Sequence, residues 1–183
     1  NVVVGGYFDE AADFDPGAGV VTLTTEPGND NGFIVKLASD GSLVWARSLE
    51  SSEPNAVSGL AIDGAGNIYA NGGFTGTADF DPGTGVNNVT SAGESDIYVW
   101  KLDNSGDLVW VQTVGNASAD GSSGLALDSS GSSHITGYFS GTVDFDPGAG
   151  VSNLTSAAAN DAFVLKLGTD GDYRWAKSIG GAN

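Results

Sequence analysis

The octamer DFDPGAGV at Asp13–Val20 returns as DFDPGTGV at Asp79–Val86 and as DFDPGAGV at Asp144–Val151. The first two copies start 66 residues apart and the second and third 65. The flanks repeat with the same spacing. GFIVKLASDGSLVWARSL (Gly32–Leu49) matches IYVWKLDNSGDLVWVQTV (Ile97–Val114) and AFVLKLGTDGDYRWAKSI (Ala162–Ile179). SGLAIDGAGNIYANGGFTGTADFDPG (Ser58–Gly83) matches SGLALDSSGSSHITGYFSGTVDFDPG (Ser123–Gly148), and the N-terminal NVVVGGYFDEAADFDPG is the second half of that segment. One unit has been copied, without linkers or separate domains: a partial unit over 1–49 and complete ones over 56–114 and 121–179.

Each full unit reads as four short strands. In the middle copy the first is SGLAID, closed by the turn GAGN, whose Gly-Asn pair suits a hairpin. The second is IYANGGF, followed by a long, polar, Gly-rich connection that contains DFDPG. The third is IYVWKL, the turn is DNSGD, and the fourth is LVWVQTV. β-Branched and aromatic residues dominate all four. IYVWKL and its relatives FIVKL and AFVLKL are apolar on both faces, so these sheets must be covered on both sides and stack face to face. No stretch carries the i, i+3, i+4 pattern of a substantial helix. Small antiparallel sheets stacked in tandem describe β-propeller blades, with a β-solenoid as the alternative that the hairpin turns argue against.

The ordered phrase G-N-x-Y-x-x-G-x-F-x-G-T-x-D-F-D-P-G, followed by F-V-x-K-L-x-x-x-G-x-x-x-W-A, resembles the bacterial β-propeller repeats called SBBP, over essentially the whole chain. That resemblance implies a propeller fold and a place in large secreted or surface proteins with many tandem repeats. It implies little about activity, because a fold does not define a function. Propellers have ~4–8 blades. Two complete units and one lacking its first strand therefore predict that other repeats of a parent chain, or identical chains, finish the assembly.

The chain carries 23 acidic residues against 6 basic ones, a formal charge of −17. Phosphate-rich nucleic acid and anionic membrane surfaces are excluded as partners by repulsion, and cations are the natural small ligands. No apolar run is long enough to span a membrane. Cysteine is absent, so disulfides and thiolate metal sites are excluded. Methionine is absent even at position 1, which points to a processed or truncated piece of a longer protein.

Within the octamer, Asp13 and Asp15 fall on one side of an extended segment and Phe14 on the other, as a core anchor. Pro16 holds Asp15 extended and Gly17 permits a bend. Like charges held close call for a proton, a base or a metal between them. Ca²⁺, which takes ~6–8 oxygens, is the expected occupant. Its expected ligands are the pairs Asp13 and Asp15, Asp79 and Asp81, and Asp144 and Asp146, with Asn31, Asp96 and Asp161 at the start of the third strand. Mg²⁺ fits less well, because it keeps its waters. The alternative is a metal-free turn in which Lys36, Lys101 and Lys166, themselves repeated, pair with these acids.

Enzymatic readings fare poorly. His134 is the sole histidine, and its equivalents are Val3 and Tyr69, so it reads as a packed strand residue. Paired carboxylates can hydrolyse glycosides, but identical triplicate pairs are not the one asymmetric site that catalysis needs. Trp45, Trp110 and Trp175 read as core between blades rather than a sugar platform. Trp100 lies in a doubly buried strand. The sequons at Asn88, Asn116 and Asn153 are expected to be bare in a bacterial protein. The functional expectation is a non-enzymatic, Ca²⁺-stabilised scaffold outside the bacterial cell or on its surface, serving adhesion or extracellular assembly. The alternative is a propeller module that binds a surface glycan or a protein at blade-repeated sites.

Overall fold

The computed structural model describes residues 1–181, all of them strand, turn or irregular chain, with no helix among the described residues. The strands of the first unit are β1 (Val2–Asp9), β2 (Ala11–Asp13), β3 (Thr22–Thr24), β4 (Asp30–Leu37) and β5 (Leu43–Ser48). The middle unit has β6 (Glu50–Ser51), β7 (Asn55–Ile62), β8 (Ile68–Asp79), β9 (Asn88–Leu102) and β10 (Leu108–Val114). The third has β11 (Gly121–Leu127), β12 (Ser133–Phe139), β13 (Thr142–Asp144), β14 (Asn153–Thr155), β15 (Asp161–Leu167) and β16 (Tyr173–Ile179).

Every ladder is antiparallel. The third sheet runs β11-β12-β15-β16, and the middle one β7-β8-β9-β10 with β6 added beside the far end of β8. The first is the three-stranded β1-β4-β5, which lacks the counterpart of β7. GFIVKL pairs with LVWARS, Phe33 opposite Ser48 and Lys36 opposite Trp45. Its turn closes tightly, with the Gly41 N–H donating to the Ala38 carbonyl at 3.0 Å and φ of +87° at Gly41. Gly106 and Gly171 do the same at φ of +84° and +80°, backbone angles that side chains disfavour and glycine tolerates.

The long connection read from the sequence is itself a hairpin. β8 and β9 continue past the sheet to pair Asp79 with Asn88, and in the outer units the same extension forms the separate ribbons β2–β3 and β13–β14. Strand character persists here because the extension alternates, Ala78 and Val143 pointing inward between an exposed threonine and a half-buried aspartate.

The core sits between the sheets. One cluster joins Ile34, Trp45 and Leu49 of the first sheet to Ile68, Ala70, Trp100 and Leu102 of the second. The other joins Ile97, Val99 and Val114 to Ile135, Phe163 and Leu165 of the third. Residues of the third strand thus feed both seams, so IYVWKL is apolar on both faces, and Trp100 is fully enclosed with its indole N–H on the Phe80 carbonyl at 3.0 Å. At each seam a tryptophan of the fourth strand reaches the next sheet's turn. Trp45 donates to the Asn104 carbonyl at 3.3 Å and Trp110 to the Thr169 carbonyl at 3.1 Å. Lys36 and Lys101 donate to the same two carbonyls at 2.7 and 3.0 Å.

Candidate functional site

The octamer forms the tip of each hairpin, and its residues satisfy one another. Asp79 Oδ1 accepts from the N–H of Asp81 at 3.0 Å and of Asn87 at 2.7 Å. Asp13 receives the N–H groups of Asp15 and Val21, and Asp144 those of Asp146 and Ser152. The second aspartate of each copy makes the next turn: Asp15, Asp81 and Asp146 accept from Gly17, Gly83 and Gly148 at 2.7, 2.9 and 2.8 Å. These are Asx turns, in which a carboxylate stands in for a backbone carbonyl. The last glycine has a reason as well. A Cβ on Gly19, Gly85 or Gly150 would fall 2.1–2.2 Å from the Oδ2 of that second aspartate, so a larger residue there would push that carboxylate aside. The bonds from Asp15 and then Val21 hold the exposed Asp13 carboxyl below its ordinary pKa.

The aromatic anchor behaves as expected. Phe80 and Phe145 are fully buried, edge-on to Phe74 and Phe139 at 5.4 and 5.2 Å. Phe14 packs on Phe8 and Phe33 at 5.1 and 4.8 Å.

The nine residues expected to hold cations, three in each unit, fall into two groups. Asn31, Asp96 and Asp161 stand opposite Phe8, Phe74 and Phe139, whereas Asp13, Asp79 and Asp144 stand opposite Thr22, Asn88 and Asn153. Five positions along the chain separate the groups, with a kink at Glu10, Gly76 or Gly141 between them. Among the described residues no three acidic or histidine side chains converge as metal ligands do. The three repeated lysines do not meet the octamer either. Lys36 and Lys101 cross to the turn carbonyls, and Lys166 pairs with Asp128 at 2.8 Å.

At the hairpin bases the units differ instructively. Between the first and second sheets, Asn55 Nδ2 donates to Asn31 Oδ1 at 3.1 Å, and Asn55 Oδ1 accepts from the Gly32 N–H at 2.7 Å. Between the second and third sheets the equivalent pair is Asp96 and Asp120, 4 % and 0 % exposed. Asp120 accepts from the N–H of Ser140 at 3.0 Å and of Asn116 at 2.9 Å. Asp96 Oδ2 accepts from the Ala92 N–H at 2.8 Å, while its Oδ1 is buried with no partner among the described residues. Burial raises both carboxyls above the ordinary range, and the charge of Asp120 raises Asp96 further against the pull of Ala92. Sequence reasoning missed Asp120; the available signal was its 65-residue offset from Asn55. Asp161 repeats the Asp96 arrangement, with Oδ2 on the Ala157 N–H at 3.0 Å and a buried Oδ1 that has no partner among the described residues.

His134 lies on β12 with its ring 5.9 Å from that of Trp175. Of the sequon asparagines, Asn88 and Asn153 are exposed, whereas the Asn116 amide donates to the Ser140 carbonyl at 2.6 Å.

No protein-family model matches the chain. It is 29 % identical over 178 residues to FlaEY, a regulatory protein of Caulobacter vibrioides, covering 94 % of this chain and 18 % of that protein. It is 21 % identical over 167 residues to L264, an uncharacterised WD repeat-containing protein of Acanthamoeba polyphaga mimivirus, covering 76 % of this chain and 12 % of that protein. The chain therefore spans less than a fifth of the length of either relative.

The seam carboxylates make stability depend on pH in a stated direction. A carboxyl whose pKa is raised on folding favours the folded state when protonated and loses that contribution as pH rises through the raised value. Asp96→Asn places an amide where Asn31 sits in the other seam and removes the buried charge. At pH 7 the variant melts at a higher temperature than wild type. The difference shrinks as pH falls towards the ordinary aspartate value of 3.8, because wild-type Asp96 then takes up its own proton. Melting curves from pH 7 to that value check this, and a variant equally or less stable at pH 7 contradicts it.

Proposed function

We propose that the chain is a rigid, non-enzymatic segment of a β-propeller, built for adhesion or assembly outside the cell. The observation that carries this reading is the use to which the repeated residues are put. Tryptophan and lysine join one sheet to the next, and the octamer closes its own hairpin, so the repeat's most distinctive residues build structure. The WD repeat relative supports the propeller, and the SBBP resemblance supports a secreted or surface setting. The acidic surface keeps such an array soluble and clear of anionic surfaces. An antibody against the chain labels intact, unpermeabilised cells of the source organism under this reading; labelling only after permeabilisation contradicts it.

The binding-module reading is favoured by a groove of about 530 Å³ between the hairpins of the first two units, lined by Thr24, Glu26, Glu50, Ser51, Thr77 and Asp79. Its polar, acidic wall suits a ligand rich in hydroxyl groups or a cationic side chain.

The Ca²⁺-stabilised version of the scaffold, with the ion on Asp13, Asp15 and their counterparts, rests on the carboxylate oxygens that the tips leave free. Yet each tip closes with hydrogen bonds from its own backbone. Under this version millimolar Ca²⁺ raises the melting temperature above that in EDTA, a site at a hundred times its Kd adding about 2.7 kcal/mol; equal melting temperatures leave the metal-free turn.

A further inference from the structure

The groove between the first two hairpins carries a charge that the chain does not balance. Both walls belong to consecutive units, so the groove is complete without either outer sheet face. Its volume of about 530 Å³ falls within the ~300–1,000 Å³ of ligand sites. Glu26, Glu50 and Asp79 line it, and no lysine or arginine does. Of the six basic residues, Lys36, Arg47, Lys101, Lys166 and Arg174 are engaged elsewhere, at seams and turns.

Glu50 stands directly opposite Asp79 in the short ladder of β6 with β8. Like charges facing each other on paired strands are destabilising, and neutral side chains would hold this ladder better. Glu26 and Glu50 are exposed, and neither carboxylate accepts a hydrogen bond among the described residues. Asp79 uses only Oδ1, for the N–H groups of Asp81 and Asn87. The groove is therefore lined by acceptors with nothing to accept.

One donor stands among them. Asn31 lines the groove and is 3 % exposed. Its Oδ1 accepts from Asn55 Nδ2 at 3.1 Å, while its Nδ2 meets no acceptor among the described residues. Asn29, 5 % exposed, donates to the Ser51 carbonyl at 2.7 Å, and its buried Oδ1 likewise has no partner among them. An enclosed amide with unmet hydrogen-bonding capacity is costly until a ligand or water completes it. The arrangement belongs to this seam. At the next one the places of Glu26 and Glu50 hold Ala92 and Gly115. There a Cβ on Gly93 would fall 2.4 Å from the Ala117 Cα, so the loop already touches the next sheet.

We propose that the groove takes an extended peptide segment carrying arginine, with a guanidinium between Glu50 and Asp79 and a peptide carbonyl on Asn31 Nδ2. A metal ion alone would leave the Asn31 donor unmet, and among the described residues no three acidic or histidine side chains converge on one. A neutral saccharide would leave the three carboxylates unbalanced. Arginine suits neighbouring carboxylates better than lysine, because its planar fork offers two parallel N–H bonds. The proposal rests on the binding-module reading of this groove and names its ligand class.

Calorimetric titration of the 183-residue chain tests it, with a blocked pentapeptide that has arginine at its second and fourth positions and glycine elsewhere. The expected result is one peptide per chain, bound more weakly as salt is raised. Glu26→Gln with Glu50→Gln weakens binding by about tenfold or more, as loss of hydrogen bonds to charged groups does. Glu94→Gln with Asp170→Asn removes the same charge at exposed sites away from the groove and changes the affinity by less than about twofold. Equal weakening by both pairs shows general attraction to an acidic chain and overturns the proposal. Maltotetraose, a neutral saccharide, is titrated in parallel. Its binding in place of the peptide overturns the arginine ligand and leaves the binding-module reading standing, whereas no binding of either removes the proposal together with the groove's support for that reading.

Discussion

The structure depends on one contact made twice: an indole N–H of one sheet on the turn carbonyl of the next, with the ring resting on a glycine that has no side chain to hold it away. Burying a tryptophan or aliphatic side chain is worth roughly 1.5–3 kcal/mol, and the hydrogen bond adds about 1. Neither alone would hold two sheets, but the contact also fixes where they meet. With Trp45 on the Gly106 turn, Leu49 and Ile34 are brought against Ile68 and Trp100, and one closed core forms. The second seam repeats this with Trp110 and Gly171. Each sheet is finished only by its neighbour, as in repeat proteins whose units bury little apolar surface alone.

Acidity plays a local part in this architecture. The octamer's carboxylates accept from N–H groups of their own hairpin tip, which gives part of a chain of formal charge −17 a role in closing turns. At the sheet turns Asp63, Asp103 and Asp128 each accept from N–H groups two and four residues on, and Asp128 also pairs with Lys166. Asp96 and Asp120 also accept from backbone N–H groups, but they lie buried close together at a seam where the preceding copy uses Asn31 and Asn55. One pair is neutral by chemistry and the other only by protonation, so the same place in the repeat responds differently to acid.

Much of this was legible in the residues. The triple octamer and the 65-residue spacing of Trp45, Trp110 and Trp175 reveal the repeat, and two-sided apolar strands reveal the stacking. Phe14, Phe80 and Phe145 are anchors, as the alternation of DFD implies. What could not be read were the partners. The bond from Asn87 to Asp79 spans eight residues and joins a backbone donor, which leaves no trace in the choice of residue at 87. For the same reason the lysines looked like partners for aspartates, when two of them meet carbonyls that every residue type possesses. The hairpin extension was obscured by its glycine, serine and threonine content, typical of loops, although its period of two was present in TADF and TVDF.

The four indole N–H groups offer the most direct measurement. In ¹H–¹⁵N spectra of a dilute sample, with resonances assigned by substitution, Trp45, Trp110 and the enclosed Trp100 are expected to exchange slowly with solvent. Trp175, with no acceptor among the described residues, exchanges fast. Rapid exchange at Trp45 and Trp110, with Trp100 alone protected, would show that the sheets do not meet through their tryptophans and would contradict the account at its centre.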